Sequence, residues 1–123
     1  MLSIVIPAFN EEHNIKDTIQ NVLNAIDSVQ YAIEYEIIIV NDCSTDKTKV
    51  VSELLQDQYK NIILLNNKEN QGFGKSFKIG LSQARGDRIM WLQGDNAWDA
   101  HNLKKLLKKF KLMKSIIVFN QKY

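Results

Sequence analysis

Apolar residues fall along this chain in two alternating rhythms. Short runs rich in Ile, Val and Leu occupy residues 2–7, 36–40, 62–65, 88–92 and 115–119. Their lack of polar alternation predicts five strands buried on both faces. Between them, Ile15, Ile19, Val22, Leu23, Ile26 and Val29 recur at spacings of three and four. Val50 or Val51 with Leu54 and Leu55 repeats that spacing, as do Phe77, Leu81 and Ala84, and then Leu103, Leu106, Leu107 and Phe110. Each set marks the apolar stripe of a helix. Regular alternation of strand and helix predicts an α/β domain: a mostly parallel sheet, right-handed crossovers and helices on both faces. No repeat, low-complexity stretch or linker divides residues 1–123, so a single domain is expected. Only "NQKY" follows the fifth run. No further helix is there to cover that strand, and the domain is expected to be truncated or to lean on something else.

Composition narrows the class. At 123 residues and 45% hydrophobic the chain can bury one core. A single cysteine, Cys43, excludes an internal disulfide and fits a reducing compartment, and His13 and His101 have no cysteine partners for a zinc pattern. No apolar run approaches the roughly 20 residues that cross a bilayer. The expectation is a cytoplasmic protein, soluble or peripheral at a membrane. Charge is unevenly placed: residues 1–99 hold nine Lys/Arg against fourteen Asp/Glu, whereas residues 100–123 hold seven Lys and no acid. A basic end of this kind suits either a solvated helix face or an anionic surface.

Candidate chemistry collects where the strands end, the edge at which open parallel sheets bind ligands. Asn10, Glu11 and Glu12 follow the first strand; Asn41, Asp42, Ser44 and Asp46 the second; "NNKENQGFGKS" the third; and "QGDNAWD", with Asp95 and Asp99, the fourth. Each cluster alone is explained by helix capping, Asn10 before the first helix and Asp99 before the last, with acids in the first turn favoured by the helix dipole. Their convergence on one edge is a second matter. Carboxylates gathered there repel one another unless a cation or a hydroxyl-rich ligand lies between them, and Mg²⁺ or Mn²⁺ with a diphosphate is one such arrangement. The glycine loop itself fits neither common nucleotide motif. A dinucleotide fingerprint needs glycine where Phe77 stands, and a Walker A loop needs it where Glu69 stands.

Taken together, "SIVIPAFNEEHNI", "EIIIVNDCSTDKT", "NQGFGKSFKIGLSQARGD" and "IMWLQGDN" resemble, in order and spacing, the N-terminal half of family 2 glycosyltransferases, especially the dolichol- or polyprenol-phosphate sugar synthase type. The resemblance runs from Ser3 to about Leu107 and implies a GT-A, Rossmann-like fold that binds a nucleotide-diphospho-sugar, with the acceptor half absent. By resemblance, Pro7, Ala8, Asn10 and Glu11 line the base and ribose, and Asp42 hydrogen-bonds the nucleoside. In that family's Asp-Asp-Gly-Ser element the first acid is here Asn41 and the glycine is Cys43. Gly72 and Gly74 match the loop beside the diphosphate, with Lys75 in reach of a phosphate. Gln93, Gly94 and Asp95 stand where the family carries Asp-x-Asp. Asp95 is thus the implied ligand of a divalent metal, Mg²⁺ or Mn²⁺, while Gln93 brings an amide and no charge. The implied activity is metal-assisted, inverting transfer of a sugar to an acceptor such as a polyprenyl phosphate; no residue is assigned as general base.

Other readings stay open at this level. The chain can be a nucleotide-sugar binding module without catalysis, or an unrelated α/β protein whose basic end binds a partner or nucleic acid. The resemblance implies no nucleic acid and allows a homo-oligomer. Cys43 is read as a small packed residue, Phe73 and Trp91 as core, and Trp98 as a possible sugar or lipid contact. A helix from about residue 101 to 114 is expected to turn Leu103, Leu106, Leu107 and Phe110 inward, and Lys104, Lys105, Lys108 and Lys111 outward.

Overall fold

The computed structural model describes residues 1–97, 99–110 and 117–119. Strand and helix alternate throughout: β1 Leu2–Ala8, α1 Ile15–Ser28, β2 Tyr35–Asn41, α2 Thr48–Gln58, β3 Ile62–Asn66, α3 Phe73–Gln83, β4 Arg88–Trp91, α4 Ala100–Phe110 and β5 Ile117–Phe119. The strands form one sheet in the order β3-β2-β1-β4-β5, every pair parallel. Residues 111–116, including the remainder of the long last helix expected from the sequence, lie outside the described residues.

The unbroken apolar runs explain the layering. Alternate side chains of β1 go to opposite faces, and all seven of its residues are buried. On one face Leu2, Ile4, Ile6, Ile37, Ile39 and Met90 meet Ile15, Ile19 and Val22 of α1, Leu55 of α2, and Leu103 and Leu107 of α4. On the other, Val5, Ile38, Val40 and Ile89 meet Phe77 of α3. Each such aliphatic side chain contributes about 1.5–3 kcal/mol by leaving water. Along α2 the stripe is narrower than the sequence suggests: Leu55 is buried and Val51 half-buried, but Val50 and Leu54 are exposed.

The connections β1-α1-β2 and β2-α2-β3 share a face, and the return to β4 through α3 crosses the opposite one, which keeps a single hand. The step from β4 to β5 continues in the direction of that return, yet α4 packs beside α1. This last unit therefore has the reverse hand, against the expectation of uniform crossovers, because Leu103 and Leu107 find their apolar partners on the α1 face.

Register decides which loops meet. Ala8 pairs with Asn41 and Asn41 with Asn66, so β1, β2 and β3 end level. β4 ends lower, Trp91 pairing with Val5. Its chain nevertheless keeps following β1, with Leu92 N–H donating to the Val5 carbonyl and Gly94 N–H to the Pro7 carbonyl, which brings Asp95 up to the same row.

The opposite end of the sheet is tied by Glu36, 1% exposed. Its carboxylate accepts the Ser3 hydroxyl at 2.7 Å, the Arg85 N–H at 2.7 Å and Arg85 Nε at 3.0 Å. Burial pushes this carboxyl up, but the Arg85 N–H, the Ser3 hydroxyl and the Arg85 guanidinium together outweigh burial and hold it below the usual range. A folded pKa below the unfolded value of about 4.3 means that the unfolded chain binds the extra proton, so stability rises with pH through this group. Glu36→Gln is expected to lose about 1–3 kcal/mol at pH 7. In urea titrations repeated down to pH 3, the gap from the wild type should close as pH falls below about 4.3. A gap that is constant with pH would contradict this role.

Candidate functional site

The level strand ends set four loops side by side, and their backbone is locally strained. Asn10, Cys43 and Asn96 adopt positive φ, at 54°, 56° and 59°. Each lies within a few residues of a strand end. Asn tolerates this conformation; cysteine does so at a cost of about 1 kcal/mol or more. Cys43 occupies the place where the resemblance expects glycine, and its φ supplies the physical reason that glycine suits it. The residue is half-buried, with its thiol toward the Lys68 carbonyl, rather than packed in the core.

Asn10 does not cap α1. The helix starts at Ile15, preceded by Asn14 without a side-chain cap. The Asn10 Oδ1 instead accepts Thr45 N–H at 2.8 Å and Thr45 Oγ1 at 3.2 Å, while its own N–H donates to Ser44 Oγ at 3.0 Å. Glu11 N–H donates to Thr48 Oγ1 and Glu12 N–H to Asp46. The Glu11 carboxylate accepts Asn14 Nδ2. Pro7 and Ala8 are buried; their carbonyls take Gly94 N–H and Asp42 N–H, so they align the neighbouring exits and expose little of themselves.

Asp42 is 4% exposed. Its Oδ1 accepts Gln71 N–H at 2.7 Å and Asn67 Nδ2 at 2.9 Å, and its Oδ2 accepts Gly72 N–H at 2.9 Å. Burial raises its carboxyl pKa, but the bonds from Gln71, Asn67, Gly72 and the Ser76 hydroxyl more than reverse this and hold it below the usual range. The loop it grips turns at Gly72, φ 84°, a conformation that side chains rarely adopt. Gly74 is different: it has helical φ, and a Cβ built there meets nothing within 4 Å. Ser76 N–H is the first in α3 to reach a carbonyl, that of Gly72, and no side chain caps the helix. The N–H groups of Phe73, Gly74 and Lys75 therefore point out of its first turn. Lys75 is exposed, and Phe73, expected in the core, is 49% exposed. Trp91 does pack, stacked on Phe77 with ring centroids 4.7 Å apart.

After β4, Gly94 is seated against Ala8 and Ile15: an added Cβ would lie 3.0 Å from Ala8 Cβ. Asn96 N–H donates to Thr18 Oγ1 and Asn21 Nδ2 to Asn96 Oδ1, which ties this loop to α1. Gln93 and Asp95 are half-buried beside it, with Ala97 N–H on Asp95 Oδ1. Asp99 caps α4 through Asn102 N–H, as the sequence suggests. Trp98 lies outside the described residues.

These bonds change the electrostatic picture. The clustered carboxylates are expected to need a cation or a hydroxyl-rich ligand between them; Asp42, Asp46, Asp95 and Asp99 each accept a backbone N–H, which lessens that need without removing their charge. Among the described residues no group of three His, Cys, Asp or Glu could hold a metal ion. What the chain offers is the Asp95 carboxylate with the Gln93 amide alongside. That donor set suits Mg²⁺ or Mn²⁺ only where substrate phosphates and water complete the coordination. A cavity of about 210 Å³, lined by residues including Leu2, Tyr31, Arg88 and Leu107, lies at the other end of the strands, away from this row of polar loops.

Ser44, Thr45, Thr48, Asn67, Thr18 and Asn21 tie these loops together; Ser44 and Asn67 stood in the polar clusters read from the sequence without this role, and the other four were not singled out. Their partners lie far along the chain, 34 to 37 residues away for the first three. The only local signal is the density of Asn, Ser and Thr after each strand.

Comparison with known proteins finds relatives both in sequence and in structure. The crystal structure of residues 1–349 of S. aureus TarS in complex with UDP-GlcNAc matches with a TM-score of 0.70 at 28% identity, over 90% of this chain and 30% of that one. A Pyrobaculum calidifontis mannosyltransferase, in complex with GDP-Man and Mn²⁺, shares the fold at a TM-score of 0.67 and 20% identity, over 76% of this chain and 27% of its own. A dolichyl-phosphate beta-glucosyltransferase of Trichomonas vaginalis is 37% identical over 118 residues, 93% of this chain and 36% of that protein. The chain thus spans about a third of the length of the relatives it matches. The family model for glycosyl transferase family 2 matches residues 3–123, and the chain belongs to that family.

Proposed function

We propose that the chain forms the donor-binding part of an enzyme that moves a sugar from a nucleotide-diphospho-sugar to a lipid-linked phosphate, with inversion. The observation that carries this reading is Gly74. A glycine in a helix costs up to about 1 kcal/mol relative to alanine, and no atom of the described residues crowds this one. Its place at the head of an uncapped helix, beside Lys75, suits close approach of a diphosphate to the N–H groups of Phe73, Gly74 and Lys75. The base and ribose then lie toward Asn10, Glu11 and the Gln93 amide, and Asp95 flanks the diphosphate.

The chemistry follows from the leaving group. Departure of the nucleoside diphosphate builds negative charge on phosphate oxygen, which Lys75 and the α3 N-terminus offset. When bound, a divalent cation at Asp95 supplies Lewis-acid neutralisation of the same charge. Attack at the anomeric carbon comes from the face opposite the leaving group, hence inversion. A phosphate acceptor has a second pKa near 6 and is largely dianionic at pH 7. Such a nucleophile needs no general base.

The name of the Trichomonas vaginalis relative includes dolichyl-phosphate, a lipid-linked phosphate, and an acceptor of that kind sits at a membrane surface. No helix among the described residues is long and apolar enough to cross a membrane. Lys104, Lys105, Lys108 and Lys109 of α4 form no ion pair among the described residues. Leu103 and Leu107 on the same helix are buried in the core, so α4 offers a surface only its charges.

Two measurements test the reading. In calorimetry with UDP- and GDP-sugars, at least one is expected to bind the wild type about tenfold more tightly with Mn²⁺ than without. Asp95→Ala should abolish that gain and Gln93→Asp enlarge it. Absence of binding by either donor class would remove the donor site, and equal effects of Mn²⁺ on all three proteins would remove Asp95 from the metal. In sedimentation with vesicles, binding to 30% anionic lipid is expected at low salt, reversed near 0.5 M NaCl and lost on changing the four α4 lysines to Gln. Binding that ignores salt, or no binding, would overturn the membrane surface.

A further inference from the structure

We propose that Thr18 on α1 is a positioning residue for Asp95, acting through the turn at Asn96, a role that rests on the proposed donor site and deepens it. Thr18 is 4% exposed, and a hydroxyl carries one donor and two acceptor sites. Its hydrogen goes to the Asn14 carbonyl at 3.0 Å, an ordinary bond for threonine inside a helix. Its oxygen does something that the helix does not require: it accepts Asn96 N–H at 2.8 Å, from a loop 78 residues away. Three residues further along α1, on the same face, Asn21 Nδ2 donates to Asn96 Oδ1 at 2.7 Å. Asn96 is thus held by its backbone and its side chain at once. It sits at φ 59°, a conformation that asparagine tolerates but does not prefer.

The consequence falls on Asp95, which lies between two fixed points. On one side Gly94 N–H donates to the Pro7 carbonyl at 3.2 Å. A Cβ added to that glycine would lie 3.0 Å from Ala8 Cβ and 3.2 Å from Ile15 Cδ1, so the backbone there is pressed against β1 and the first residue of α1. On the other side Thr18 holds Asn96. With both neighbours anchored, the direction of the Asp95 carboxylate is set by α1 as much as by β4. One carboxylate with the Gln93 amide is a sparse donor set for a divalent ion, and a sparse set depends on being held in the right geometry. Without the hydroxyl, Asn96 N–H loses its acceptor, the left-handed turn loses its support, and Asp95 samples directions that do not face a diphosphate. The donors at the head of α3 lie on another loop and keep their places.

Thr18→Val tests this, since it keeps the branched shape and removes the oxygen. Amide hydrogen exchange at Asn96 is expected to quicken at least about tenfold, as for loss of one hydrogen bond. Exchange at Ala97, whose N–H donates to Asp95 Oδ1, should quicken with it. In calorimetry with UDP or GDP, the gain in affinity from Mn²⁺ should fall from about tenfold to less than about threefold, while affinity without Mn²⁺ changes less than about twofold. Thr18→Ser restores the hydroxyl and should recover both the slow exchange and the Mn²⁺ gain. Asn21→Ala leaves the Thr18 bond in place and should move the same quantities in the same direction by less; it serves if Thr18→Val does not fold. Unchanged exchange at Asn96 would leave Thr18 with no hold on the turn. Faster exchange with the Mn²⁺ gain intact, or an equal fall in affinity with and without Mn²⁺, would make Thr18 a structural residue only. If the wild type binds neither nucleotide, the donor reading fails, while exchange at Asn96 and Ala97 still decides whether Thr18 fixes Asp95.

Discussion

Backbone N–H groups at the ends of buried strands must find acceptors, and in this chain they find them on the side chains of the next loop. Asn10 and Ser44 join the exits of β1 and β2. Asp42 and Asn67 join those of β2 and β3. Thr18 holds the exit of β4 against α1. The sheet's register makes these meetings possible by ending β1, β2 and β3 level. The loops in turn carry strained residues that regular structure would not contain, and strain of this kind persists only where the surroundings enforce it. The result is a polar edge whose shape does not wait for a ligand.

The same bonds recast the acids. A cluster of carboxylates invites a cation as explanation, yet here most of the negative charge is stabilised by N–H groups of the chain, and the structural readings of capping and loop closure account for Asp46 and Asp99. What resists a purely structural account is smaller and more specific: the exposed Lys75, the uncrowded Gly74 and the Asp95 and Gln93 pair. A donor that brings its own diphosphate, and with it most of the ligands of a divalent ion, suits that sparse equipment better than a protein-built metal site would.

The sheet was readable because five runs of Ile and Val carry no polar alternation, and β1 to β4 appear within a residue or two of those runs. Helix faces were readable where both flanks were buried, as in α1. They were not on α2, whose Leu54 faces water, nor at Phe73, where an apolar residue beside glycines gives no sign of its exposure. The reverse hand of the β4-α4-β5 unit depends on which face Leu103 and Leu107 find, a tertiary choice that periodicity does not encode. At the site, Asn10 and Asp42 were recognisable as important, but the loops they join were not. The residue types that cap helices are those that tie loops, and the partners that decide between the two lie about 30 residues away in sequence.

The central claim is that the row of strand ends from Asn10 to Asp95 is a preformed donor site. Titration of the ¹⁵N-labelled chain with UDP and with GDP, followed by NMR, addresses it directly. The account predicts that amide signals of Phe73, Gly74 and Lys75 and of Gln93 to Asp95 shift on binding, with Gln71 and Gly72 remaining protected from exchange. Shifts confined to the far end of the strands, around Tyr31 and Arg88, or no shifts with either nucleotide, would contradict it.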